Sequence, residues 1–460
     1  MKSLSQSSYI MNTLLKIVLP GIILWAQSLQ AQQMSLKDCM TYALEHSSRL
    51  EIQRTHYDDA LLERRTALLR AFSPEVSANT AVNWNFGRAI DPESNSYINT
   101  TSFNNGYSVQ AGLTLFDGLS SINRIKMAKT AVKMGLSEEQ QIKDEICLSV
   151  MEAYYKVLFH DEMETVLDSQ LQTARTNLQL MQKLYELGQK SEAEVVQTES
   201  DLSEREYQLV CNRNNRDEAI LNLKALMLWT STDSLILDHS AARMESPEVT
   251  PLCEDPQTLT AFAREHQASA RIAKDKMTRA GYDLRCARGL FSPTLSLNVG
   301  WSTNYYTYPG NEKYKATSFS HQFHNNGGEF VQLTLSIPLY SRLERFSSLR
   351  AKKNEYRRAE AAYRQTLQDI DNEVTRAVQN SEGAYAAFVQ ARKREAAQKE
   401  VYKTSTRQFA LGTLSPIDYQ TLANKYLNAR AESLNALLQH RLKQSIVLFY
   451  KGISYLEQQH

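Results

Sequence analysis

The chain is written twice, and the two copies keep step. Phe72-Ser73-Pro74 recurs as Phe291-Ser292-Pro293, each followed by an alternating stretch. Leu115-Phe116-Asp117 recurs as Leu339-Tyr340-Ser341, and Tyr185-Glu186-Leu187-Gly188 as Phe409-Ala410-Leu411-Gly412, both 224 positions later. About seventy residues therefore separate the paired landmarks in each half without a net insertion. Loops drift in length between copies, whereas a long helix in a packed bundle holds its register, so the duplication fixes the architecture first.

Both halves read in one order: short helix, medium helix, two strands, very long helix, break, long helix. Helices are predicted over Leu36–Glu45 and Leu50–Leu69, and Pro74 ends the second because proline disfavours helical geometry in the residue before it. Val76, Ala78, Thr80, Val82, Trp84 and Phe86 then alternate with Ser77, Asn79, Asn83 and Asn85, the period of a strand with unlike faces. The same pattern predicts strands at about 75–87, 106–117, 294–306 and 329–341, with surface loops over 87–105 and 305–328. Each is long enough to cross a membrane when tilted. Their apolar sets face outward, and Trp84, Phe86, Trp301, Tyr305, Tyr306 and Tyr308 stand near the loop ends, where an interfacial aromatic girdle belongs. A soluble sandwich built from four strands, each pair running straight into helices, is implausible.

The segments Ser120–Leu187 and Arg342–Leu411 contain no proline, and at about 1.5 Å per residue each would be roughly 100 Å long as one helix. Leu167, Leu171, Ala174, Leu178, Met181 and Tyr185 advance by fours and threes, a coiled-coil seam; Val195, Leu202, Leu209 and Leu223 keep sevenfold spacing on the returning helix. The organisation is a signal peptide at 1–31, a first repeat at 32–229, a linker at 230–256, a second repeat at 257–454 and a loosely ordered tail at 455–460. Lys16, the apolar run Ile17–Trp25 and a small-residue stretch ending at Ala31 form the secretory signal, with Met11 an alternative start. The apolar run is too short to span a bilayer.

Basic and acidic residues nearly cancel, 52 against 51, which argues against nucleic acid as a partner. Cys39, Cys147, Cys211, Cys253 and Cys286 are odd in number and scattered, so they read as isolated buried thiols rather than a zinc site or a disulfide framework. No phosphate-cradling glycine loop and no nucleophile elbow occur, and Cys147 and His160 are too far apart on one helix to form a nucleophile–base pair. His321 and His324 alone, in a predicted loop, do not make a metal site. The chain is read as no enzyme, with no catalytic residue, cofactor or metal.

The sharpest local motifs are the breaks after the long helices, at 188–191 and 412–415. Gly188 and Gly412 stand where a left-handed cap is needed. Ser191 with Glu194, and Ser415 with Asp418 behind Pro416, have the spacing of N-terminal caps. Both turns resemble the helix-hairpin tip of the TolC-like outer membrane efflux family, in Phe409, Gly412, Ser415 and Asp418 and in Tyr185, Gly188, Ser191 and Glu194. The joints Leu115-Phe116-Asp117-Gly118 and Ile337-Pro338-Leu339-Tyr340-Ser341 resemble that family's passage from strand into long helix.

The resemblance implies a mainly α protein with a transmembrane β part: a homotrimer in which each protomer gives four strands to a twelve-stranded barrel on a periplasmic coiled-coil tunnel. Four strands alone cannot close a barrel, and open edges are not tolerated in hydrocarbon, so elementary physics also asks for an oligomer. The implied role is the exit duct of a tripartite efflux or type I secretion system in the outer membrane. Its tips meet a periplasmic adaptor that links it to an inner-membrane pump. The family's tunnel narrows near the tips, and Asp369, Asp371, Glu373, Arg376 and Glu382 on the second long helix are the gate residues expected on that basis. The rivals are a membrane-anchored coiled-coil scaffold and a soluble helical interaction protein.

Overall fold

The computed structural model describes residues 33–90, 95–230, 234–239, 255–310 and 316–458. The proposed signal segment and most of the 230–256 linker lie outside them. The chain divides into two compact units. One holds Ile52–Glu139 and Ala268–Gln368, and the other holds the remaining segments through residue 51, Gln140–Gln267 and Asp369 onward.

The elements are α1 (Leu36–His46), α2 (Ser48–Phe72), β1 (Glu75–Asn85), β2 (Arg88–Ile90), β3 (Tyr97–Asn99), β4 (Ser102–Phe116), α3 (Ser120–Glu186), α4 (Glu192–Met227), α5 (Pro256–His266), α6 (Ala268–Gly289), β5 (Thr294–Thr307), α7 (Phe319–Asn325), β6 (Gly328–Ser336), α8 (Glu344–Ala410) and α9 (Pro416–Tyr450). α3 and α8 each run 67 residues, and both begin and end 224 positions apart. The duplication persists in the backbone of the joints. Gly118 (φ 66) and Leu119 (φ 65) are left-handed, and so are Arg342 (φ 47) and Leu343 (φ 65) at the same offset. Asp117 Oδ2 accepts from the Ser121 amide at 2.8 Å, and Ser341 Oγ accepts from the Arg345 amide at 3.5 Å. Two consecutive left-handed residues turn each strand into its helix, and the residue before them caps it.

In the sheet unit, four antiparallel strands lie in the order β1-β4-β5-β6. Paired residues share a face, and the register sorts the side chains cleanly. Val76, Val109, Trp301 and Glu329 lie on one face, with Ala111, Val299 and Val331 and with Leu297 and Leu333. The other face carries Ser77, Gln110, Gly300, Asn298 and Gln332. Within one chain the apolar face is uncovered: Val76 is 67% exposed, Val331 78% and Leu333 62%.

Four expectations need correction here. The predicted loop 87–105 contains the β2–β3 hairpin, and β4 starts already at Ser102. The loop 305–328 contains α7. β6 stops at Ser336 rather than 341, because β5 offers no partner before Thr294 and Pro338 has no N–H to donate. Tyr306 and Tyr308 are buried against Ile98 of β3 rather than displayed on a girdle.

In the helical unit, α1, α3, α4 and α9 share one core, through Met40, Val150, Met151, Leu158, Leu223 and Leu434 among others. The α3 seam holds at Leu167, Leu171, Ala174 and Met181, but Asn177 is buried while Leu178 is only half-buried and Tyr185 is exposed. Leu237 docks into this core, and its stretch pairs with the N-terminus through Met34 N to Ile236 O (2.9 Å) and Asp238 N to Met34 O (3.0 Å). Residues 455–458 are packed: Tyr455 is buried and stacks on Phe449 at 4.8 Å, and Gln458 donates to Ser445 O at 3.0 Å. Burial pushes the Cys39 and Cys147 thiols up to about 12, as isolated core thiols require.

Two predictions follow the physics of these positions. A Cβ on Gly118 would stand 2.5 Å from the Gly289 carbonyl oxygen, so Gly118→Ala is expected to destabilise by several kcal/mol, whereas Arg342→Gly should be neutral or stabilise by up to about 1 kcal/mol. Chemical denaturation of both variants checks the asymmetry. Burial raises the Asp144 carboxyl from 3.8 to about 6, so its ionisation penalises the fold: the penalty is small near pH 4, grows as pH rises and is complete above about pH 6. Asp144→Asn should therefore stabilise the fold at pH 7.5, by up to about 3 kcal/mol, and have no effect near pH 4, as thermal melts at the two pH values would read.

Candidate functional site

The two helix breaks are built alike. Gly188 (φ 71) donates to Tyr185 O at 2.8 Å and Gln189 to Leu184 O at 2.9 Å. Gly412 (φ 74) donates to Phe409 O at 2.9 Å and Thr413 to Gln408 O at 3.0 Å. Both are Schellman closures, in which the left-handed glycine satisfies the last helical carbonyls. Ser191 then caps α4 in a complete capping box with Glu194, whose other oxygen takes Lys190 Nζ at 2.8 Å. The Lys190 hydrogen bond, with those from Ser191, holds the Glu194 carboxyl below its ordinary range, so the cap keeps its charge through physiological pH. At the second break Ser415 accepts from the Asp418 amide at 3.2 Å, and Asp418 takes the Ser415 hydroxyl at 2.7 Å. The capping residues thus spend their polar groups on closing the turns.

The aromatic members of the two motifs are not equivalent. Phe409 is buried, stacked on Tyr419 at 4.7 Å and packed on Met181, while Tyr185 is exposed. Each turn also displays an apolar side chain that was missed in sequence: Leu187 is 71% exposed and Leu411 78%, and Ile417 is exposed just after the second turn. The available signal was that both copies place leucine directly before the glycine. Just behind the turns, Gln197 of α4 donates to Gln420 of α9 at 3.2 Å. Arg205, almost wholly buried, pairs with Asp201 at 3.1 Å and reaches Gln170 of α3 at 3.4 Å. Burial pushes the Asp201 carboxyl up; Arg205 and a hydrogen bond with Gln420 oppose it. A polar network therefore ties the two hairpins together near their turns.

The charged run of α8 lies elsewhere. Glu382 is 28 residues and Asp369 is 41 residues before the helix ends at Ala410, roughly 40 to 60 Å along its axis. Its neighbours are α5 and the far end of α9. Arg264 grips Asp371 with both guanidinium arms, through Nε at 2.6 Å, and Tyr450 Oη donates to Glu373 at 3.3 Å. Asp369, Glu373 and Arg376 share one exposed side of the helix, and Asp371 and Glu382 lie on another flank. Of the five gate candidates, Asp371 thus meets α5 and Glu373 meets the far end of α9, and all five lie back along α8 from its turn.

At the loop end of the sheet the aromatics meet. Trp84 lies 4.7 Å from Phe103, Phe103 6.2 Å from Tyr305, and Tyr305 5.3 Å from Phe319 of α7. Trp301 lies 5.6 Å from Phe323. Phe86 is exposed beyond the end of β1. A cleft of about 570 Å³ between α3, α4 and the 234–239 segment is lined by Asp161, Glu164, Arg216 and His239, which pair with one another. Among the described residues no group of three His, Cys, Asp or Glu side chains is placed to hold a metal ion.

The family model of outer membrane efflux proteins matches residues 56–227 and 263–446. The chain belongs to that family. It is 20% identical over 436 residues to the proteases secretion protein PrtF of Dickeya chrysanthemi, spanning 91% of this chain and 88% of that protein. Its fold is that of the Campylobacter jejuni CmeC outer membrane channel (TM-score 0.74, 15% identity, 92% of this chain and 85% of that one). The outer membrane protein VceC of Vibrio cholerae matches as well (TM-score 0.73, 17% identity, 92% and 96%). This efflux protein is thus an outer membrane channel component that extends into the periplasm.

For this efflux protein, the Arg264 pair gives Asp371 an architectural job. Asp371→Ala is expected to lower stability by about 1 kcal/mol and to leave antibiotic leakage through the channel at the wild-type level. Leakage assays on whole cells, with melts of the purified protein, check both; raised leakage would return this residue to the gate.

Proposed function

We propose that three copies assemble head to tail, β6 of one beside β1 of the next, into a twelve-stranded barrel that forms the passive exit duct of a tripartite export system. The observation that carries this reading is the two-faced sheet with two open edges. β1 and β6 run in opposite directions, so their pairing keeps every neighbour antiparallel. The apolar face then turns to lipid, and the serine, asparagine and glutamine face lines a wet lumen. Closure removes the unpaired edges that hydrocarbon forbids.

The driving energy comes from an inner-membrane pump reached through a periplasmic adaptor, the arrangement that the family resemblance implies. The adaptor docks on the helix turns, where Leu187, Leu411, Ile417 and Tyr185 offer apolar contacts. Gly188, Ser191, Glu194, Gly412, Ser415 and Asp418 fix the turn geometry beneath, and Phe409 supports it from inside. The resting duct is held shut by ties near the turns, with Gln197–Gln420 and Asp201–Arg205 as its restraints within one chain. The pump selects the cargo, and likeness to PrtF makes a secreted polypeptide the first cargo to test.

Paired cysteines at Gln332 of β6 and along Ser77 to Asn83 of β1 test the assembly. Oxidation is expected to give a ladder ending at three linked chains. A ladder that never passes one chain in membranes would reject the arrangement. Single cysteines at Leu187 and Leu411 should cross-link to the adaptor in an active complex, and silence at both would reject docking there.

A further inference from the structure

The apolar face of the sheet has an upper boundary. Below it stand Val76, Val299, Val331 and Leu333; at it the pattern breaks at Thr80, Asn105, Thr303 and Glu329, all on the same face by register. Three of these polar groups bond within the protein, and Glu329 is exposed at the start of β6. Thr80 Oγ1 donates to Asn105 Oδ1 at 3.1 Å, and Asn105 Nδ2 donates to Tyr107 Oη at 2.6 Å. Thr303 is 4% exposed, and its hydroxyl donates to the Phe323 carbonyl of α7 at 2.9 Å. The seven-residue α7 lies over this row, with Phe319 and Phe323 against Tyr107, Trp301 and Tyr305.

The same helix closes a gap in the backbone. β6 begins opposite Ser302, so β5 continues to Thr307 without a strand on that side. Gln322, 2% exposed, stands in for one. Its Oε1 accepts from the Tyr306 amide at 3.0 Å and its Nε2 donates to the Tyr306 carbonyl at 2.9 Å. Asn326 Nδ2 donates to the Asn304 carbonyl at 2.9 Å. A side-chain amide mimics the donor and acceptor of a neighbouring residue, which matters where water cannot satisfy the edge. The outward side of α7 carries Ser320, His321 and His324, all exposed, and Phe319 is 46% exposed at its rim. Polar outside and aromatic underneath is the composition of the headgroup boundary rather than of the acyl core.

We propose that α7 is a membrane-interface helix. It seals the upper edge of β5 through Gln322 and Asn326 and rests in the headgroup layer of the outer leaflet, completing the aromatic rim begun by Trp84 and Phe103. The proposal rests on the barrel reading above. The layer that α7 meets is lipid, because this surface is continuous with the apolar face of the sheet.

Nitroxide labels at Ser320→Cys, Val331→Cys and Gly310→Cys, in the full chain with Cys211, Cys253 and Cys286 replaced by serine, separate the two ideas. The protein is reconstituted in vesicles of phosphatidylethanolamine and phosphatidylglycerol, and accessibility to oxygen and to a water-soluble nickel chelate is measured. The Val331 label is expected in the acyl region, the Gly310 label in water, and the Ser320 label between them. Adding Gln322→Leu should release α7 and move the Ser320 label to the Gly310 value while Val331 stays in lipid. A Ser320 label as nickel-accessible as Gly310 in the unaltered helix overturns the proposal and spares the barrel. A Ser320 label shielded from both reagents overturns it in favour of cover by a second copy. A Val331 label in water overturns the barrel reading itself.

Discussion

The structure depends on one constraint: every backbone amide and carbonyl that enters the membrane must find a partner within the protein. β4 and β5 meet it inside the chain, while β1 and β6 each keep a bare outer edge. Among the described residues nothing covers those edges, and the proposed assembly would. The same constraint accounts for Gln322, which occupies the short stretch of β5 that β6 leaves uncovered.

The helical unit solves a different problem, which is to keep long helices in fixed register with few apolar residues to spare. Its seam admits polar residues: Asp201, Arg205 and Asn212 on α4 bond to neighbours, while the buried Asn177 on α3 leaves its Nδ2 without a hydrogen-bond partner among the described residues. A buried charge pair contributes little net stability but makes any other register costly, since a slip would leave an ion unpaired. Fixed register carries the turns to one level, with α3 ending at Glu186 and α8 at Ala410, 224 positions apart. A partner that binds both hairpins needs that equality.

Much of this was legible in the sequence, because the signals were local and repeated. Alternation from Val76 to Trp84 gave a strand, and Gly188 and Gly412 with serine three residues on gave turns and caps. What stayed hidden depended on lateral contact. Phe409 and Tyr185 occupy equivalent positions in the motif, yet only Phe409 has Tyr419 and Met181 to cover it. Charge along α8 says nothing about which helix lies beside it, so the partners of Asp371 and Glu373, Arg264 and Tyr450, were not legible in the sequence. α7 escaped notice because seven residues are too few for a periodic signal, although Phe319 and Phe323 stand one turn apart. The packing of residues 455–458, in a tail read as loosely ordered, stayed hidden because Tyr455 finds its stacking partner, Phe449, only across a reversal of the chain.

The central claim is that three chains close one barrel. The mass of the intact complex, extracted from the outer membrane in mild detergent and measured under native conditions, tests it most directly. The account predicts a species of three mature chains that falls to one chain on heating in strong detergent. A complex of one, two or four chains that still conducts ions in a planar bilayer would contradict it.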